Sequence, residues 1–432
     1  MSKDKLTDYD STTASNNTDV GGISVAEGVL PSGVNNSIRE LTKQLGAFAD
    51  GTDGIDVLSL ADDDASHAIK LQAPSAVTAD TTFTLPDGDG ASGQTMITDG
   101  AGTLSWAAPY GNRNLIINGA ATVNQRGNVT GATGSTYGGP DRFYTIIGNG
   151  IGTWNITQDT DVPSGQGFAN SWKIACTTAD ASPAAADHLG LHYRMEGQNL
   201  QQLSKGTSDA KSVTLSFWVK CNKTGDFQVT FRDSDNTRHI ASAVTISSTA
   251  TWQYVTITFA GDTTGAFDND NANSAIIEMF FDAGTDWTSG SVPTTWQAAI
   301  TADRAAGTNL ALADSTSNYI NITGIQLEVG STATPFEHRS YGDELARCQR
   351  YACKLMQFNG NKMREYDRYR TFSYVLPVEM RATPTVPSMT TSDGAACTIG
   401  NATSRGFVVN SVAPGDGYTA YVTSELVVTA EL

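Results

Sequence analysis

A chain of 432 residues is too long for one ordinary core, so two or three domains are expected. Charged residues make up only 17% and hydrophobic ones 39%, with 42 glycines, a mix that suits short strands and turns better than helices. The net charge of −18, from 27 bases and 45 acids, argues against nucleic acid as a partner.

In chain order, residues 1–31 are polar and rich in Gly and Asn, expected to be extended and ordered only by a partner. Their start, MSKDKLTDYDSTTASNN, lacks an apolar core, and no run of 18 apolar residues occurs anywhere. Neither a signal peptide nor a membrane helix is therefore expected. Val34, Ile38, Leu41, Leu45 and Phe48 then recur at spacings of 4, 3, 4 and 3, a heptad seam. A lone helix this short is marginal in water, and so narrow a stripe wants identical partners. The competing reading is an amphipathic helix lying on its own domain.

Residues 51–112 are short extended pieces split by Asp and Gly: IDVLSL, AIKLQA, TTFTLP and QTMITDGAGTLSW. ITDGAGTLSW reads as a hairpin with Asp99-Gly100 at its turn and Leu104 and Trp106 on one face. So few large apolar side chains hardly suffice for a monomeric core, whereas several copies wrapped into a shared β-stalk do.

Residues 113–338 give eleven strand candidates with no helical pattern between them. They are LIINGAATVNQ, RFYTII, TWNITQ, SWKIACT, HLGLHYRME, SVTLSFWVK, DFQVTFRD, HIASAVTI, TWQYVTITF, AIIEMFF and YINITGIQLEV. Two packed antiparallel sheets, most simply a jelly roll, are expected. Val213, Leu215, Phe217 and Val219 share one face, as do Val255, Ile257 and Phe259. After the last strand, Gly330 ends the run and Ser340 with Asp343 forms an S-x-x-D capping box. The helix it opens is expected to carry an apolar stripe of Leu345, Cys348, Ala352 and Leu355. Residues 339–432 thus read as a linking helix and a smaller β-sandwich built from YVLPVEM, CTIG, RGFVVNSV and GYTAYVTSELVVTAEL.

Several of these segments carry a resemblance. ITGIQLEVGSTATPFEHRSYGDELARCQRY resembles the junction found in tail fibres of tailed bacteriophages, marine ones in particular. NNTDVGGISVAEGVLPSGVNNSIRELTKQL is similar to the attachment end of such fibres, and LPDGDGASGQTMITDGAGTLSW to their stalk-to-head junction. VEMRATPTV, RGFVV and the closing AEL are similar to their terminal sandwich. The layout of residues 113–338 resembles jelly-roll carbohydrate-binding modules. These resemblances imply a homotrimeric virion protein, made in the host cytoplasm, docked on tail or adaptor proteins through residues 1–50 and meeting host surface polysaccharide distally. They also imply that 1–50 holds the attachment segment and coiled-coil helix, and 51–112 a trimeric stalk.

Of chemistry there is little. His67, His188, His192, His239 and His338 lie in no HExxH or GxSxG context. His188 and His192, four apart on a strand, would stand about 13 Å apart, too far for one metal. Cys176, Cys221, Cys348, Cys353 and Cys397 form no CxxC pair and describe neither a disulfide framework nor a zinc site. FRDSDN and FDNDNAN lack EF-hand spacing and read as polar turns. No enzyme, cofactor or metal is expected, and no repeat of the β-helix kind points to a depolymerising tailspike.

Saccharide recognition needs flat aromatic faces beside planar polar groups. Trp154, Trp172, Trp218 and Trp252 lie within strand patterns and read as core or rim. Trp287 and Trp296 lie in a long polar connection, DAGTDWTSGSVPTTWQAAITADR, of the kind that more often carries function. Arg364, Tyr366, Arg368, Tyr369 and Arg370 form the second candidate, suited to acidic glycans. The expected function is adhesion to host glycans. The alternatives are a structural tail or capsid fibre without receptor contact, and, more remotely, a glycan-depolymerising tailspike.

Overall fold

The computed structural model describes residues 19–20, 23–24, 30–49, 57–61, 67–72, 76, 81–90, 94–98, 101–107, 113–355, 369–388, 397–412 and 426–432. The chain divides into two compact units, Met1–Pro109 and Tyr110–Leu432.

In the first unit, strands β1 (Asp19–Val20) and β2 (Ile23–Ser24) pair before helix α1 (Pro31–Ala49). Proline at the first helical position gives up only a donor that would have no partner there. Val34, Ile38, Leu41 and Leu45 lie on this helix with their side chains exposed. The side chain of Phe48 lies outside the described residues. Hairpins follow: β3 (Val57–Ala61) with β4 (Ala68–Gln72), and β5 (Thr95–Thr98) with β6 (Leu104–Ala107). Thr98 pairs with Leu104, so the expected hairpin exists; its Asp99-Gly100 turn lies outside the described residues. Trp106 donates from Nε1 to the Gly88 carbonyl at 2.7 Å and lies over Gly90, where any Cβ would come within 2.7 Å of the indole. Among the described residues of this unit, no hydrophobic side chain is buried.

The second unit is mainly two antiparallel sheets. Its strands are β7 (Val129–Ala132), β8 (Thr136–Tyr137), β9 (Tyr144–Gly148), β10 (Thr153–Asp159), β11 (Ser171–Thr178), β12 (His188–Glu196) and β13 (Val213–Cys221). Then come β14 (Gly225–Asp233), β15 (Arg238–Ile246), β16 (Gln253–Phe259), β17 (Asn273–Ala283), the short helix α2 (Thr285–Thr288), β18 (Gln297–Ala298) and β19 (Tyr319–Val329). One sheet has the order β16-β13-β19-β11-β10-β7 and the other β18-β15-β14-β17-β12-β9-β8. From β13 to β19 the chain crosses repeatedly from sheet to sheet, which is the wiring of a jelly-roll-like sandwich. Alternate residues of both sheets meet in one core, with Trp154, Trp172, Phe217, Phe227 and Phe281 fully buried.

Ten of the eleven strand candidates form strands, and LIINGAATVNQ does not. Asn118 and Ala121 adopt left-handed backbone, at φ 63° and 55°, which breaks a ladder. The Asn118 side chain instead accepts from Val123 N and donates to the Val123 and Asp141 carbonyls. Gly119 passes so close to β19 that a Cβ there would stand 2.1 Å from the Ile325 oxygen.

Helix α3 (Tyr341–Gln349) starts where expected, with Ser340 Oγ accepting from Asp343 N at 3.2 Å. It ends sooner than the apolar stripe suggests. Residues Ala352–Leu355 form β20, paired with β24 (Leu426–Thr429), which buries Ala352 and sets Cys353 in the terminal core. Cys348 and Cys353 are both buried free thiols. Strand β21 (Tyr369–Val375) joins β23 (Gly406–Val412) and β22 (Cys397–Thr403) in a second small sheet. Both small sheets share a core around Leu376, Met380, Phe407 and Val428.

This terminal part is bolted to the jelly roll by ions. Arg142, buried in the sandwich, pairs with Glu431 and lies 3.4 Å over the Tyr351 ring. Arg350 grips buried Glu196 through two bonds of 2.9 and 2.8 Å.

Candidate functional site

On the seven-stranded sheet, Leu189, Leu191 and Tyr193 of β12 and Ile277, Met279 and Phe281 of β17 point into the core. The period of two therefore sends His188, His192, Glu278 and Phe280 to the opposite, outer face. The connection from β17 to β19 folds back over part of that face. It is fastened by Gln228, whose Nε2 donates to the carbonyls of Asp303 and Arg304 at 2.7 and 2.9 Å while its Oε1 accepts from Gly307 N at 2.9 Å. Ala241 N adds a bond to the Pro293 carbonyl at 2.6 Å.

That connection delivers Arg304 onto the sheet. Arg304 Nε and Nη2 reach Glu278 at 3.0 and 2.7 Å, a two-pronged contact with a fully buried carboxylate. Arg232 Nη1 approaches the same oxygen, Oε1, at 3.4 Å, and His192 Nε2 stands 3.7 Å from it. Burial alone would raise the Glu278 pKa, but neighbouring His192, Arg304 and Arg232 draw it down to about 2. Burial pushes the His192 imidazole down to about 3, with Glu278 pulling the other way. Near neutral pH, His192 is thus uncharged and the two guanidiniums hold the carboxylate.

The indole of Trp287, on α2, completes the patch. Its ring lies 4.1 Å from His188 and 5.4 Å from Phe280, centroid to centroid, and the Arg304 guanidinium sits 4.6 Å from it. Its Nε1 donates to the Ala186 carbonyl at 3.1 Å, so the half-buried ring is held by one edge.

The two loop tryptophans are not brought together in one platform. Trp296 packs edge-on against Phe231 of the core at 5.5 Å, and its Nε1 donates to the Ala260 carbonyl at 2.7 Å. It plugs the connection onto the sandwich, while Trp287 faces the outer sheet. Arg364, Tyr366 and Arg368 lie outside the described residues, as does the side chain of Tyr369, whose backbone opens β21. Trp154 and Trp172 are core residues. Trp218 lies against Tyr254 at 5.1 Å on the outer face of the six-stranded sheet, and Trp252, just before β16, donates to Asp161 at 3.1 Å.

His188, His192, Glu278, Arg232 and Arg304 escape a sequence reading because they converge from three strands and a loop. The one local signal is the polar alternation along β12, where His188, His192, Arg194 and Glu196 leave the core face while leucines and methionine take it.

No family model matches the chain, and no curated protein sequence matches it. Solved structures similar to part of it include the enzymatically active domain of bacteriophage CBA120 tailspike protein 4, at 14% identity and TM-score 0.26 over 50% of this chain. The match spans about a fifth, 21%, of that tailspike chain. TmCBM61, in complex with β-1,4-galactotriose, is 10% identical with TM-score 0.26, covering 50% of this chain and 99% of its own. A family 11 carbohydrate-binding module from Clostridium thermocellum, in complex with a β-1,3-1,4-mixed-linked tetrasaccharide, is 13% identical with TM-score 0.23, covering 45% and 91%. Likenesses of this extent do not bear on what this chain binds.

Proposed function

We propose that this chain is a non-enzymatic, homotrimeric fibre protein of a tailed bacteriophage that adheres to surface glycans of its host. The observation that carries the glycan part is the outer face of the seven-stranded sheet. There a half-exposed indole is fixed beside a guanidinium and an imidazole, the flat apolar surface and planar donors that a sugar ring takes. The fibre part is supported by the resemblance of the attachment, stalk and junction segments. It is also supported by the unpartnered stripe of Val34, Ile38, Leu41 and Leu45, since identical helices covering one another would remove it from water. Residues 1–50 would dock on tail or adaptor proteins, placing the protein in the virion. Three sites on one axis gain avidity without any new contact.

Light scattering on the full chain tests the assembly, with three times 45.6 kDa expected; a stable monomer sinks it. Co-sedimentation with host cells, compared with Trp287→Ala, tests adhesion. A fibre without receptor contact would show no binding for either protein.

A further inference from the structure

Arg304 is unusual in how completely it is immobilised. One edge is pinned by Glu278, and the rings of Trp287 and Phe280 lie 4.6 and 5.5 Å from its guanidinium carbon. Its Nη1, and Nη2 of Arg232, have no hydrogen-bond partner among the described residues. Both side chains reach solvent, Arg232 at 28% and Arg304 at 14%. Two permanent positive charges thus converge on one buried carboxylate, each guanidinium keeping an edge free, in a chain whose total is −18.

The neighbouring acid, Asp303, touches neither guanidinium: its carboxylate accepts from Ser291 N and Gln297 Nε2, at 2.9 and 2.8 Å. His192, its side chain only 8% exposed, has both ring nitrogens without a hydrogen-bond partner, and buried Nε of Arg232 has none either. The donors left open at the solvent rim are Nη1 of Arg304 and Nη2 of Arg232, and these can take an acceptor that arrives from outside.

We propose that this face binds saccharides bearing an anionic group, a carboxylate or a sulfate or phosphate ester, which bridges the free edges of Arg232 and Arg304 while Trp287 covers the sugar ring. The inference deepens the glycan-binding reading and rests on it. Charge-assisted bonds to donors already fixed in place lose little ordering entropy on binding, so the anionic group becomes the main discriminator.

The test is calorimetric titration of the full chain with three probes: an oligogalacturonate, a sulfated galactan oligosaccharide and a neutral β-1,4-galactan oligosaccharide. At least one anionic probe is expected to bind tenfold or more tightly than the neutral one, with affinity falling steeply between about 50 and 500 mM salt. The arm that binds tells carboxylate from ester. Arg232→Gln, at the rim, is expected to lose at least tenfold for the anionic probe and nothing for the neutral one. Arg304→Gln should lose more; because it can loosen the connection, its near-ultraviolet circular dichroism is compared with that of the parent. Equal binding of anionic and neutral probes, insensitive to salt and to Arg232→Gln, overturns the proposal and leaves the glycan reading standing. Failure of all three probes at millimolar concentration removes both.

Discussion

The two units solve the problem of burying apolar surface in opposite ways. Residues 113–355 hold a continuous core, with large aromatics at 0–2% exposure and both sheets closed over them. The first unit exposes Leu30, Val34, Ile38, Leu41, Leu45, Leu60, Leu71, Phe83, Leu85 and Met96. Ten of the fourteen large hydrophobics exposed among the described residues therefore fall within its 109 positions. Surface of that kind is what the proposed assembly of copies would cover. The contrast teaches that one chain can close a full core in one unit and leave its apolar side chains open in the other.

That contrast can be broken by experiment. The largest effect is expected from Ile38→Asp with Leu45→Asp: charges in the seam should abolish the proposed trimer, reducing the light-scattering mass threefold. The sandwich should melt unchanged. Joint loss of both would mean that the second unit also needs its copies. Trp154→Ala should do the reverse. A fully buried indole whose Nε1 donates to the Ile151 carbonyl at 2.6 Å leaves both a cavity and an orphaned acceptor, at a cost of about 3–5 kcal/mol by denaturant unfolding. The oligomeric mass should persist under native conditions.

Acid sharpens the same comparison. His192 titrates near 3 in the folded chain against a usual 6.5, and Glu278 near 2 against 4.5. As pH falls from about 6.5 toward 2, the unfolded chain takes up protons that the folded sandwich refuses, so stability falls with it. Melting curves from pH 7 to 4 should slope downward, and His192→Gln should flatten the upper part of that slope. The smallest effect belongs to Ser340→Ala, which removes the cap of α3 and should cost about 1 kcal/mol.

Period-two patterning made the sandwich legible, since Val213, Leu215, Phe217 and Val219 of β13 and Val255, Ile257 and Phe259 of β16 turn into the core at every second position. Where pattern misled, a second force had won. In LIINGAATVNQ one asparagine side chain replaces a ladder, which no periodicity records. At Ala352 and Leu355 the helical spacing ran on past the end of α3, and pairing with a strand some seventy residues later decided the matter. Trp287 was marked by the length of its connection. Its partners were not: His188 lies on a strand far away in sequence, and Arg304, at the end of the same connection, meets the indole only because the connection folds back over the sheet.

The fastening of that connection has a further consequence for how such a surface diversifies. Glu278 belongs to the sheet, but its firmest counterion arrives on the connection laid over it. A replacement segment without a cation at that point would strand a charge in the sheet. Segment and floor are therefore energetically one piece, and a graft that exchanges residues around Arg304 should fold only with Arg304 itself kept.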